Sequence, residues 1–225
     1  MALYVMGDLH LSLGTDKPME VFGPAWAHYV QRIEEGFSVV GEEDITVLCG
    51  DLSWGMSLEA ALPDLQFIHA LPGKKLLLKG NHDYWWGTVS KMKKFFAEHG
   101  LDRLDILHNN CFFYGDYALC GTRGWFFEES DNPKVMKREV LRLETSLKLA
   151  GEKPILCFLH YPPLYQGYCC PEIVAQLEKH CVKHCYYGHL HGNSHRLAKE
   201  GRQGSVEYSL VAADYLRFTP KKVLD

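Results

Sequence analysis

Apolar positions along the chain follow two different periods. Short continuous apolar runs occupy residues 3–6, 45–49, 75–78, 118–120, 155–159 and 185–187, each about the length of a buried strand. Between them, apolar residues recur at the three-to-four spacing of a helix buried along one side. Trp26, Tyr29, Val30, Ile33, Phe37 and Val40 form one such stripe, with Gly41 as the expected C-cap. Leu58, Ala61, Leu62, Leu65 and Ile68 form another, behind Ser57 as N-cap. Residues 89–99, 133–150 and 171–180 complete the set. The tail, 205–213 and then 215–218, reads as strands without a helix between them. Strand–helix alternation with a β-rich end predicts an α/β fold of two sheets packed together with helices outside. At 225 residues the chain suits a single domain, 1–225.

Composition narrows the class. Apolar residues make up 47% and charged residues 23%, the balance of a globular protein with a sizeable core. A net charge of −4 disfavours nucleic acid as the partner, since proteins that live on a phosphate backbone present a strongly basic face. Lys91, Lys93 and Lys94 fit the solvated side of a helix better than a basic groove. No basic leader and no apolar stretch of about 20 residues is present, so neither secretion nor a membrane partner is expected and the location is read as cytoplasmic. The eight cysteines are then expected as free thiols. His180, Cys181, His184 and Cys185 have ligand-like spacing but lack a second half, and ordinary helix-to-strand packing is the expected reading.

In α/β sheets, ligands bind beyond the carboxyl ends of the strands. Five of the six runs end there in residues able to hold a metal: Gly7-Asp8-Leu9-His10, Gly50-Asp51, Gly80-Asn81-His82-Asp83, His160 and Gly188-His189-Leu190-His191. One Asp or His in a loop is usually a cap or a turn. Five strand ends carrying them in order is a constellation.

These blocks resemble the ordered signature D-x-H, G-D, G-N-H-[DE], H and G-H-x-H of the calcineurin-like metallophosphoesterase superfamily. The resemblance spans residues 7–191 and implies a four-layer αββα sandwich of two mixed sheets flanked by helices. It implies a phosphate mono- or diesterase in which a metal-bridging hydroxide attacks phosphorus. By the same resemblance Asp8, His10 and His191 hold one metal, Asn81, His160 and His189 the other, and Asp51 bridges them. The bridging place suits a carboxylate, whose two oxygens can each serve a cation. Imidazole with carboxylate suits Mn, Fe, Zn or Ni over Mg or Ca. His82 has no metal in this assignment and is read as the acid that protonates the leaving group, with Asp83 fixing its tautomer. A loop-bonding role for His82 is the alternative.

Two departures refine the reading. The second block, Gly50-Asp51-Leu52-Ser53-Trp54-Gly55, lacks the arginine of the protein-phosphatase branch, so a small bacterial cytosolic phosphoesterase is the better match. Arg123, in Cys120-Gly121-Thr122-Arg123-Gly124-Trp125, is a candidate substitute that grips phosphate, with a surface salt bridge as its alternative. Trp54, Tyr84, Trp85, Trp86, Trp125, Phe126 and Phe127 lie beside the motifs. Most are expected to pack loops, but two or three facing a cleft would stack the base of a nucleotide-like substrate. The acidic run Glu128-Glu129-Ser130-Asp131 disfavours long polyanions. A Mn-dependent nuclease and a non-catalytic metal-binding scaffold are the rivals to a small-molecule phosphoesterase.

Overall fold

The computed structural model describes residues 1–126 and 132–225. Thirteen strands and five α-helices are present among them. A first sheet holds β1 (Leu3–Met6), β2 (Ile45–Leu48), β3 (Lys74–Leu77), β4 (Leu104–Ile106) and β13 (Lys221–Leu224), in the order β13-β1-β2-β3-β4. Strands β1 to β4 are parallel, and β13 closes the edge antiparallel to β1. The second sheet holds β5 (Cys111–Tyr114), β6 (Tyr117–Thr122), β7 (Ile155–Leu159), β10 (His184–Tyr187), β11 (Gly201–Gln203) and β12 (Val206–Leu210), in the order β11-β12-β10-β7-β6-β5. Its inner strands β12, β10, β7 and β6 are parallel, with antiparallel edges. A small hairpin joins β8 (Leu164–Tyr165) to β9 (Tyr168–Cys169).

Three apolar clusters show how the layers stack. Leu3, Val5, Val47 and Leu76 of the first sheet meet Leu119, Leu156, Phe158 and Tyr186 of the second. The opposite face of the first sheet packs on α1 (Tyr29–Gly36), α2 (Leu58–Ala70) and α3 (Val89–Glu98) through Ile33, Leu65, Ile68, Met92 and Phe96. The outer face of the second packs on α4 (Pro133–Lys148) and α5 (Pro171–Lys179) through Leu143, Leu147, Ile173 and Leu177. This is the expected helix–sheet–sheet–helix sandwich. Strands covered on both faces need apolar side chains in both directions, which is why β1, β2 and β7 read as continuous runs rather than alternating ones.

Ser57 caps α2 as expected, its side chain accepting from Ala60 N. Two boundaries differ from the sequence reading. Helix α1 ends at Gly36 and tightens into a 3-10 turn, Phe37–Val39, while Gly41 opens a separate turn held by Asp44 Oδ2. Residues 215–218 are a turn and not a strand. Arg217 and Phe218 take left-handed φ values of 54° and 65°, which no strand permits, and the strand follows at Lys221.

A fully buried lysine supports the first sheet. Lys75 Nζ donates to the carbonyls of His69 (3.1 Å), Leu71 (2.5 Å) and Gly73 (2.7 Å), so it closes the carboxyl end of α2 where helix carbonyls lack partners. Lys75→Met preserves the apolar stem and strands those carbonyls. It is expected to cost about 2–4 kcal/mol in denaturant unfolding, and an unchanged midpoint would refute the capping role.

Candidate active site

The parallel strands of both sheets end at one rim, where their loops bond to each other. Asp8 N donates to Gly50 O (2.8 Å), His10 N to Asp51 O (2.9 Å) and Gly188 N to His160 O (3.0 Å). The two sheets join here as well, through Gly7 N to Val211 O (2.7 Å) and Ala213 N to Gly7 O (2.9 Å). Such close approach leaves no room for side chains at the turns. A Cβ on Gly80 would lie 2.0 Å from Asp51 Oδ1, and one on Gly188 would lie 2.3 Å from Asp8 Oδ2. Asp8, His10, Asp51 and His189 all adopt left-handed φ, between 46° and 73°. For residues with a Cβ that is a strained conformation of the kind found at functional sites.

Among the described residues the side chains form three groups able to hold a cation: Asp8, His10 and His191; Asp51, His160 and His189; and, sharing His191 behind the first, His191, His195 and Asp214. Within each group the potential ligand atoms lie within 4.8 Å of one another. His10 Nε2 is 3.3 Å from His191 Nε2, and His191 Nε2 is 3.4 Å from Asp8 Oδ1. Atoms bound about 2.1 Å from one ion sit roughly 3–3.4 Å apart, so these spacings fit a shared cation.

Proton inventories lead to the same conclusion. Burial holds His160 and His189 down to about 3, and it keeps His10 well below the usual histidine range. The neutral His160 ring has one N–H, which Nδ1 donates to Cys49 O at 3.0 Å. Its Nε2 therefore carries a lone pair, yet faces Asn81 Oδ1 at 2.7 Å and Asp51 Oδ2 at 3.6 Å. Three electron-rich atoms turned toward each other suit a metal ion between them. Asp51 is pushed well above the usual carboxylate range by burial and by the charges of Asp83 and Asp8, a repulsion that a cation relieves.

Asp83 does not fix the tautomer of His82. Its Oδ2 accepts from Asp51 N (2.9 Å) and Gly80 N (2.7 Å). Its Oδ1 accepts from Leu52 N (2.9 Å), Ser53 N (3.2 Å) and Trp85 Nε1 (3.0 Å). The carboxylate is buried and turned toward loop N–H groups, so it is a positioning residue for Asp51 and not a partner of the histidine. His82 Nδ1 is buried without a hydrogen-bond partner, while its backbone N–H donates to Asp51 Oδ1 at 2.8 Å.

The His82 ring faces a cavity of about 300 Å³ lined also by His10, Asp51, His189 and His191, with Trp54, Trp26, Phe22 and Met19 as an apolar wall. Of the aromatic residues expected beside the motifs, Trp54 reaches this cavity. Trp85 and Phe126 are buried packing groups, Tyr84 is exposed, and Trp86 faces a different pocket. Phe127 and the acidic run 128–131 lie outside the described residues. Met19 and Phe22 come from a 3-10 turn, Met19–Phe22, which shows no periodicity in the sequence. Trp26, expected to open the stripe of the first helix, sits instead in a second 3-10 turn, Pro24–Trp26. Among the described residues, His180, Cys181, His184 and Cys185 form no metal group, and Cys185 is buried in β10.

Arg123 lies on the same rim but outside this cavity. Its carbonyl accepts from His160 N (3.2 Å) and Tyr161 N (2.9 Å), and its guanidinium is 3.9 Å from buried Glu139. The sequence reading missed Asp214, which accepts from His191 Nδ1 at 2.9 Å and from Gly192 N at 3.0 Å. It follows the apolar end of β12 just as the other acidic groups follow theirs, and that was the available signal. Burial works against charge on His191, but Asp8 and Asp214 outweigh it and raise the ring to about 10.

A family model described as calcineurin-like phosphoesterase matches residues 1–193. The chain belongs to the calcineurin-like phosphoesterase family. It is accordingly a metal-dependent phosphoesterase, a hydrolase of phosphate esters. Solved structures agree on the fold. Phosphopantetheinyl hydrolase from Mycobacterium tuberculosis aligns at TM-score 0.60 and 12% identity, covering 99% of this chain and 95% of its own. The protein TT1561 of Thermus thermophilus aligns at 0.55 and 12%, covering 99% and 97%. A protein of unknown function from Aquifex aeolicus, AQ665, aligns at 0.50 and 16%, covering 98% and 95%. At such identities the likeness concerns the fold alone. No curated protein matches the chain. Among the described residues, no helix is long and apolar enough to cross a membrane.

Carboxylates behind ligating histidines typically account for 10- to 100-fold in metal affinity. Asp214→Asn is therefore expected to weaken Mn²⁺ binding by about that factor in equilibrium dialysis, with the melting temperature of the metal-free protein little changed. Undiminished affinity would show that Asp214 only packs the turn.

Proposed function

We propose that residues 1–225 act as one catalytic domain that hydrolyses a small phosphate mono- or diester at a dinuclear centre. In this reading Asp8, His10 and His191 hold one ion, Asn81, His160 and His189 hold the other, and Asp51 is shared. The observation that carries it is the position of a single atom: Asp51 Oδ2 is 3.6 Å from His10 Nε2 and 3.6 Å from His160 Nε2, one nitrogen from each group. Divalent Mn, Fe, Zn or Ni held there supplies Lewis acidity to the phosphoryl oxygens and makes hydroxide available at neutral pH.

The remaining steps belong to side chains of this chain. Asn81 and Arg123 orient the ester from the side of His160. His82 stands at the mouth, its ring 5.7 Å from that of His10 and 4.5 Å from that of Trp54, where it can pass a proton to the departing oxygen. The apolar wall of Trp54, Trp26, Phe22 and Met19 accepts an organic leaving group. All eight cysteines are free thiols, in keeping with a cytoplasmic location.

Brønsted logic tests the acid. His82→Ala is expected to lower kcat on an alkyl phosphate by about 100-fold or more, yet to change kcat on p-nitrophenyl phosphate little, because nitrophenolate leaves without a proton. Equal losses on both esters reject the role. Asp51→Asn is expected to abolish turnover and to lower the metal content measured by elemental analysis. Full metal retention in that variant would disprove the shared ligand. Intact single-stranded DNA after incubation with Mn²⁺ is expected from the same reading.

A further inference from the structure

Beside the metal groups lies a second pocket of about 330 Å³, of which the chemistry above uses Arg123 alone. It is lined by Lys79, His108, Arg123, Arg138, Arg142, Trp86 and Gly87. The four cations come from three separate elements. Lys79 follows β3, Arg123 follows β6, and Arg138 and Arg142 stand one turn apart on α4. Among the described residues two buried carboxylates answer them: Glu139, 2.5 Å from Arg142 and 3.9 Å from Arg123, and Asp83, whose charge acts on Lys79. Among the described residues, four positive groups against two negative leave a local surplus of two, in a chain whose net charge is −4.

That surplus acts on the ring that lines the pocket. His108 is held down to about 4 by burial and then by Arg142, Lys79 and Arg123, so the ring is neutral and adds no charge. His108 Nδ1 and Trp86 Nε1 are both buried without a hydrogen-bond partner. Converging cations with unused polar atoms between them repel one another and cost stability unless an anion enters. Arginine forks in particular match phosphate oxygens.

The pocket is close to the scissile position. Lys79 stands two residues before Asn81, at most about 7 Å of chain. The Arg123 carbonyl holds the backbone of His160. Lys79 and Arg123 thus tie the basic pocket to the loops that carry Asn81 and His160.

We infer that the Lys79–Arg123–Arg138–Arg142 pocket binds a second phosphate of the substrate, which makes the preferred substrate a small molecule bearing two phosphate groups. This rests on the phosphoesterase reading. The test uses Mn²⁺-loaded full-length protein, α,ω-alkanediol bisphosphates of three to six carbons, and the matching alkyl monophosphates with and without equimolar inorganic phosphate. Phosphate release gives kcat/KM, and calorimetry gives Kd. The bisphosphate of best length is expected to exceed its monophosphate at least about ten-fold, an advantage that added inorganic phosphate does not reproduce. Arg138 is exposed on α4, so Arg138→Ala and Arg138→Glu leave the core intact. They are expected to shrink the bisphosphate-to-monophosphate ratio about three-fold and to near unity, respectively. A ratio near one in the wild type, a ratio unmoved by both variants, or full rescue by free phosphate would overturn the inference. Failure of the phosphoesterase reading looks different: no ester releases phosphate, while the calorimetric advantage of the bisphosphate persists.

Discussion

Five N–H groups converge on the carboxylate of Asp83, four from the backbone of two different loops and one from Trp85. Burial of that carboxylate is costly, and the cost is offset only while all the donors point inward. The loop after β2 is therefore held against the loop after β3, and Asp51 is fixed in its left-handed backbone. The order of dependence runs outward from there. Asp51 Oδ2 stands 3.6 Å from a histidine nitrogen of each candidate group, the second sheet brings His160, His189 and His191 to the same rim, and His82 lines the cavity there.

Much of this was legible in the chain because one rule governs both fold and site. A parallel strand covered on both faces must be apolar throughout, so its end is marked abruptly by a glycine and a polar residue. Asp8, Asp51, Asn81, His160 and His189 stand at such transitions. Other features obey rules that leave no periodic trace. Asp214 was hidden because residues 215–218 are apolar enough to suggest a strand, whereas their φ values turn the chain back on itself. Met19, Phe22 and Trp26 reach the cavity from short 3-10 turns. Asp83 was assigned to its sequence neighbour, although a buried carboxylate is satisfied by whatever donors tertiary contact provides, here mostly from residues about thirty positions away. The basic pocket is assembled from elements so far apart in the chain that no local charge run announces it.

Electrostatics divide the rim into three regions. Buried carboxylates and imidazoles occupy the centre, cations line one pocket, and tryptophans with Phe22 and Met19 line the other. A phosphate ester meets all three demands at once, with its anionic head between positive centres and its organic body against an apolar wall. The chain places opposite requirements side by side without letting them neutralise each other, because each region is fixed to a different set of strand ends.

The position of the metal groups across the sandwich has one more consequence. Each draws ligands from both sheets: Asp8 and His10 with His191, and Asp51 with His160 and His189. His10 and His191 are separated by 181 residues. A cation joining them closes a loop of most of the chain, as a disulfide would, and removes a large share of the freedom of the unfolded state. Ions held there would rivet the sandwich as well as serve as reagents, and parting the sheets would release the metal.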